Sequence, residues 1–313
     1  MIRYFSLVLF GCLATQCLST EPTETPPEKV VATFYQQIDI QRNPRFFLEG
    51  MQVDQQIHYQ IVSAFELFAP DDQGDFKATQ TINDAILVQA DPLSQMVFTE
   101  SLAKMKGRSI NYKVNQFGEV ISMEGHLDNT NAVAVNQPKS QGMLVSTVID
   151  ADGWKELAQL TLFHPPQAVP SKKPFVRQTS HDWGSLGSWY GQTHFSGHKV
   201  DKTRQRFTYR HQLEYFPPNK KGPNISALPF SIENAKFHLN NGTGDIQYDS
   251  KQQHVTAVRE LFHAKGSVTT SILGAESNIE IEEQQIFTIE VAGFQKLTTS
   301  DSAPRQKAGK SAK

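Results

Sequence analysis

The stretch HDWGSLGSWYGQTHFSGH brings His181, Asp182, His194 and His198 close together in the chain. Three imidazoles and a carboxylate are groups that can hold zinc or share a proton during hydrolysis. Their spacing works against a metal, because strand residues four apart stand about 13 Å apart along one face. No metal and no cofactor is therefore expected. Asp182, His194 and His198 remain as the core of one reading, a secreted hydrolase with a dispersed active site. The other histidines, His126, His164, His211, His238, His254 and His263, are scattered singly.

Nucleophilic catalysis lacks local support. The chain has no G-x-S-x-G elbow, and its two cysteines, Cys12 and Cys17, both lie in the first twenty residues. GSLGSWYG lacks the lysine and the strand–loop–helix setting of a phosphate loop. Asp71-Asp72 and Glu282-Glu283 are expected in a turn and on a hydrophilic edge. Adjacent strand side chains point to opposite faces, so neither pair is placed to share a proton. The aromatic group Trp183, Trp189, Tyr190 and Phe195 reads as a core cluster joining two halves, in preference to a ligand platform. No catalytic residue is assigned, and the ligand-binding residues are left unknown.

The elements that must position these residues are mostly strands. Ile57, Tyr59, Ile61, Phe65 and Leu67 alternate with polar residues, as do Phe207, Tyr209, Leu213 and Tyr215. Further strands are predicted near 78–87, 96–102, 109–114, 119–124, 235–239, 245–248, 254–262 and 267–273, with a last pair at 279–281 and 287–291. VVATFYQQIDI fits a short helix and a strand equally. One segment has helical spacing: Trp154, Leu157, Ala158, Thr161 and Leu162, capped by Asp150 or Asp152 and ended by Pro165-Pro166. The expected fold is mainly β: two tandem antiparallel β domains, each a curved sheet or half-barrel, with one helix at the junction.

The 313 residues carry 30 basic and 32 acidic side chains, for a net charge of −2. That balance gives no general attraction to nucleic acid. The apolar run from Phe5 to Leu18 after a single arginine has the layout of a secretory signal peptide. Cleavage after Ser19 would leave an exported, soluble chain without cysteine. The residues before Cys12 and Cys17 match a lipoprotein signal poorly, and no later stretch reaches the length of a transmembrane span. The predicted layout is a signal peptide at 1–19, a spacer and short element at 20–44, and a first β-rich domain at 45–149. A linker helix with a Pro-rich connection (150–174), a second β-rich domain (175–294) and a disordered basic tail (295–313) follow.

SINYKVNQFGEVISMEG in the first half aligns with GDIQYDSKQQHVTAVRE in the second, with Asn115 and Asp249 each opening a turn. An internal duplication is inferred. Phe117-Gly118-Glu119-Val120, followed by a helix and then Gly187-Ser188-Trp189, resembles an uncharacterised family of exported two-repeat β proteins of planctomycete-type bacteria, over roughly residues 45 to 292. Ser185-Leu186 departs from that family, where a more basic or aliphatic approach to the glycine is usual. The resemblance implies two related β domains and no activity. The expected function is a non-enzymatic binding or interaction module of the envelope or exterior, with an apolar ligand in a groove lined from Tyr59, Phe65, Tyr209 and Tyr215.

Overall fold

A computed structural model describes residues 29–48, 50–125, 149, 151–166, 174–182, 187–217, 231–272 and 275–297. The first-half strands are β1 (Val30–Leu48), β2 (Met51–Asp54), β3 (Ile57–Phe68), β4 (Phe76–Ala90), β5 (Ser109–Val114) and β6 (Val120–Glu124). The second half supplies β7 (Phe175–Asp182), β8 (Ser188–Lys199), β9 (Arg204–Phe216), β10 (Ser231–Asp249), β11 (His254–Ile272) and β12 (Ala275–Lys296). Two helices, α1 (Pro92–Ala103) and α2 (Ala151–Thr161), complete the described elements. The predicted signal peptide and most of the predicted basic tail lie outside the described residues.

The mainly β, antiparallel class with a helix at the junction is what the structure shows. The two halves share one open sheet of twelve strands, in the order β6-β5-β4-β3-β1-β12-β11-β10-β9-β8-β7, with β2 paired to β1 off this path. The segment that fitted helix and strand equally is β1, which pairs with β3 on one side and β12 on the other. Several strands are far longer than the short runs expected: β1, β10 and β11 have 19 residues each and β12 has 22. Their alternation continues through shifts of register, such as that between Gln247 and Tyr248, so a break in periodicity marks a bulge and not a strand end.

One face of the sheet is dry along most of its width. Ile38, Ile40, Tyr59, Ile61, Ile82 and Ile110 of the first half are buried there, as are Phe207, Tyr209, Ile246, Val258 and Ile289 of the second. α2 lies against this inner face with Trp154, Leu157 and Ala158 buried, as its spacing predicted. The sheet must curl around it, since strands from both ends of the order reach the helix. The β6 amide of Val120 donates to Gln159 at 3.1 Å, and β7 meets α2 through His181 and Glu156 at 2.5 Å. The two edges approach each other at the Glu119–Arg177 pair, 3.8 Å apart.

One predicted strand is wrong. Residues 96–102 belong to α1, whose start is fixed by Asp91 accepting from the Ser94 amide and hydroxyl at 3.1 and 2.6 Å, with Pro92 at the first helical position. Ser94, Phe98 and Leu102, four residues apart, face the sheet and are buried. Phe98 covers the ring of Tyr59, with centroids 6.4 Å apart.

Candidate functional site

α2 is held on the inner face by two buried polar networks, one per half of the sheet. On the first-half side, Gln36 of β1 donates to Thr161 of α2. Gln80 of β4 donates to Gln36 at 3.1 Å and to Ser63 at 3.0 Å, and accepts from Tyr112 at 2.7 Å. Each member is neutral.

On the second-half side the network is charged. Glu156 of α2 meets His181 Nδ1 of β7 at 2.5 Å. Glu260 of β11 accepts from the Tyr209 hydroxyl at 2.5 Å and lies 3.2 Å from His211 Nε2, both of β9. Thr193 of β8 bonds His211 Nδ1 at 2.7 Å and Thr179 of β7 at 2.6 Å. Burial alone would push the His211 imidazolium down, but the Glu260 and Glu156 charges outweigh it and raise its pKa. Burial would raise the Glu260 carboxyl, yet His211 and the Tyr209 hydroxyl hold it below its ordinary value. A cavity of about 40 Å³ borders Glu156, His211 and Glu260.

Beside this network, Phe163 projects just beyond α2 into a nest of rings. Its centroid lies 6.1 Å from Phe175, 5.4 Å from Phe195, 5.2 Å from Phe207 and 6.5 Å from Tyr248. The guanidinium of Arg177 sits 4.5 Å over the Phe163 ring and donates to the His164 carbonyl at 2.8 Å. Burial lowers the Arg177 pKa to about 10, opposed by the Glu119 carboxylate. The β5–β6 turn sets this end of the helix. Gly118 has a φ of +82°, and a Cβ there would fall 2.1 Å from the Leu162 carbonyl, so the turn packs where only glycine fits. The Phe117 carbonyl accepts from the His164 amide at 3.1 Å.

Of the hydrolase candidates, His194 and His198 project from one face of β8 and are exposed, and the side chain of Asp182 lies outside the described residues; His181 is buried on the inner face, apart from both histidines. His198 instead borders an open outer-face groove of about 680 Å³ with Arg206, Asp245 and Arg259. The aromatic group also divides. Trp189 and Phe195 are buried on the inner face, Tyr190 is exposed on the outer one, and Trp183 lies outside the described residues. Tyr59, Phe65 and Tyr209 do line the inner face, but Tyr215 is partly buried in a separate cluster with Trp189 and Phe262. They are filled against by protein: Phe65 stacks on Phe34 at 4.8 Å, and Tyr59 is covered by Phe98. Glu283, expected on a hydrophilic edge, is buried on the inner face, 2.5 Å from Arg42. It falls there because Glu283 shares the phase of Ile279, Ile281 and Phe287.

Glu156, His211 and Glu260 were not singled out in the sequence, though each carried a signal. His211 occupies the same alternating phase as Phe207 and Tyr209, and Glu260 that of Val258 and Phe262. Glu156 stands beside Leu157 and four residues before Leu160, on the helix face that is buried.

No family model and no curated protein matches the chain. Among solved structures, it is similar to lipovitellin, described for its lipid–protein interactions, at 12% identity and a TM-score of 0.44. That match covers 88% of this chain and 26% of lipovitellin, so the chain spans about a quarter of that protein's length. It is similar also to an outer membrane channel of Pseudomonas putida F1, at 6% identity and a TM-score of 0.24, covering 87% of this chain and 99% of the channel. Among the described residues, no helix is long and apolar enough to cross a membrane.

Proposed function

We propose that the chain is an exported, non-enzymatic binding protein whose curved inner face accepts an apolar ligand with an anionic head, in the position that Phe163 occupies. The Phe163 nest is the observation that carries this reading. Phe175, Phe195, Phe207 and Tyr248 come from four neighbouring strands, and a single side chain following the helix fills the space among them. An intramolecular plug of that kind is displaced by a ligand that buries more apolar area in its place. Arg177 at the rim gives the ligand's head a fixed, always charged partner. Export is supported by the Phe5–Leu18 run, and the resemblance to exported two-repeat proteins belongs to the same proposal.

The anionic apolar dye anilinonaphthalenesulfonate tests it. Removing the plug by Phe163→Ala is expected to tighten dye binding by about tenfold, equivalent to ~1.4 kcal/mol. Arg177→Gln in that background is expected to weaken it again. Equal, non-saturating dye fluorescence in the native chain and Phe163→Ala would rule the slot out.

A further inference from the structure

The charged network supplies something the apolar slot does not use. We propose that Glu156, His211 and Glu260 form a binding site for one divalent transition-metal ion, with zinc the best match.

The three side chains come from α2, β9 and β11, and one ligand atom from each lies within 4.8 Å of the other two. Zinc bonds to nitrogen and oxygen run about 2.0–2.2 Å, which places tetrahedral ligand atoms about 3.3 Å apart. His211 Nε2 and Glu260 Oε2 already stand 3.2 Å apart. Glu156 must close by at most about 1.5 Å, within reach of a side-chain rotation. Nitrogen and carboxylate donors without a thiolate suit zinc and its neighbours in the first transition row, and an imidazole disfavours magnesium and calcium.

Every proposed ligand is oriented by a further residue, as metal ligands are. With an ion bound, His211 Nδ1 would donate to Thr193 and the Nε2 lone pair would face the ion beside Glu260. His181 steadies Glu156, and Tyr209 steadies Glu260. Glu260 is 1% exposed, and among the described residues its Oε1 has no hydrogen-bond partner. A buried carboxylate oxygen in that state needs a partner, which an ion held by both Glu260 oxygens would supply. The adjoining cavity of about 40 Å³ has room for an ion with one water. Two buried carboxylates need two positive charges, and one divalent ion supplies both while the imidazoles stay neutral. β10 makes space for the site's rings: a Cβ on Gly244 would sit 2.4 Å from the Tyr209 hydroxyl, and one on Gly242 would sit 3.0 Å from His211 Cβ.

The test is calorimetric and spectroscopic titration of the chelator-stripped full chain with Zn(II) and Co(II). One equivalent per chain is expected, with Co(II) developing the visible absorption of a low-coordinate nitrogen–oxygen site. Glu260→Gln and His211→Gln, each checked for folding by circular dichroism, are expected to lose at least about a hundredfold in affinity. Thr193→Val, which removes only an orienting hydroxyl, is expected to lose about tenfold. No binding by the native chain, or unchanged binding by both ligand variants, overturns the proposal. If those two fail to fold, Thr193→Val decides, and an unaltered affinity and Co(II) spectrum overturns it. None of these readouts depends on dye binding.

Discussion

The two networks that hold α2 sit on the same face of one sheet and solve the same problem with different chemistry. In the first half, Gln36, Ser63, Gln80, Tyr112 and Thr161 close a neutral set of hydrogen bonds. In the second, Glu156, His181, His211 and Glu260 bury charge, and an oxygen of Glu260 lacks a partner among the described residues. A neutral amide network anchors a helix at modest desolvation cost. A charged one costs more to bury and returns little stability over an apolar core. The difference separates a fastening from a site.

The largest effects should test that separation directly. Glu260→Leu in metal-free protein strands His211 and Tyr209, and is expected to cost about 3–5 kcal/mol in denaturant unfolding. Gln80→Leu also orphans several groups, but neutral ones, and is expected to cost about 1–3 kcal/mol. Equal losses would erase the distinction between the networks. Zinc should raise the unfolding midpoint of Gln80→Leu and leave that of Glu260→Leu unmoved.

A smaller loss is expected from Gly244→Ala. Its Cβ would press on the Tyr209 ring at 2.4 Å and on the Arg259 carbonyl at 2.6 Å, for a cost of about 1–3 kcal/mol. The change should lower metal affinity in parallel, whereas glycine substitution far from the site should not. The smallest effect concerns pH. Burial holds His164 and His254 below their ordinary values, His164 with help from Arg177 and Lys296. The unfolded chain therefore takes up protons that the native one resists. The contribution of these two groups is retained above the ordinary histidine pKa of about 6.5 and declines as pH falls through it, until the native groups are protonated as well, while the raised His211 pKa works in the opposite direction. Unfolding midpoints near neutrality and about one unit lower measure this, and a His164→Gln, His254→Gln double variant should flatten the response.

Strand identity was legible wherever alternation was unbroken. The predicted buried residues of β3 and β9 are on the inner face, and α2 buries the residues its spacing named. α1 was missed because the apolar run at 96–102 was read without the Asp91-Pro92 cap that starts a helix before it. The site was missed for a different reason. Glu156, His211 and Glu260 are brought together only by the curl of the sheet, so no local spacing announces them. What the sequence did offer was a charged residue in an apolar phase, three times over. Glu119 makes the same point, since its partner Arg177 comes from the opposite edge of the sheet.

The pairing of β1 with β12 has a consequence for how the chain is made. The Arg42–Glu283 contact between them spans 241 residues of sequence, and both halves of the sheet meet along this seam. During synthesis β1 can take β3 on one side, but its other edge waits for β12, the last of the described strands. Contacts of such long range form slowly. The nascent chain thus passes most of its synthesis without its central seam, a state that needs shielding from other strands until the seam closes.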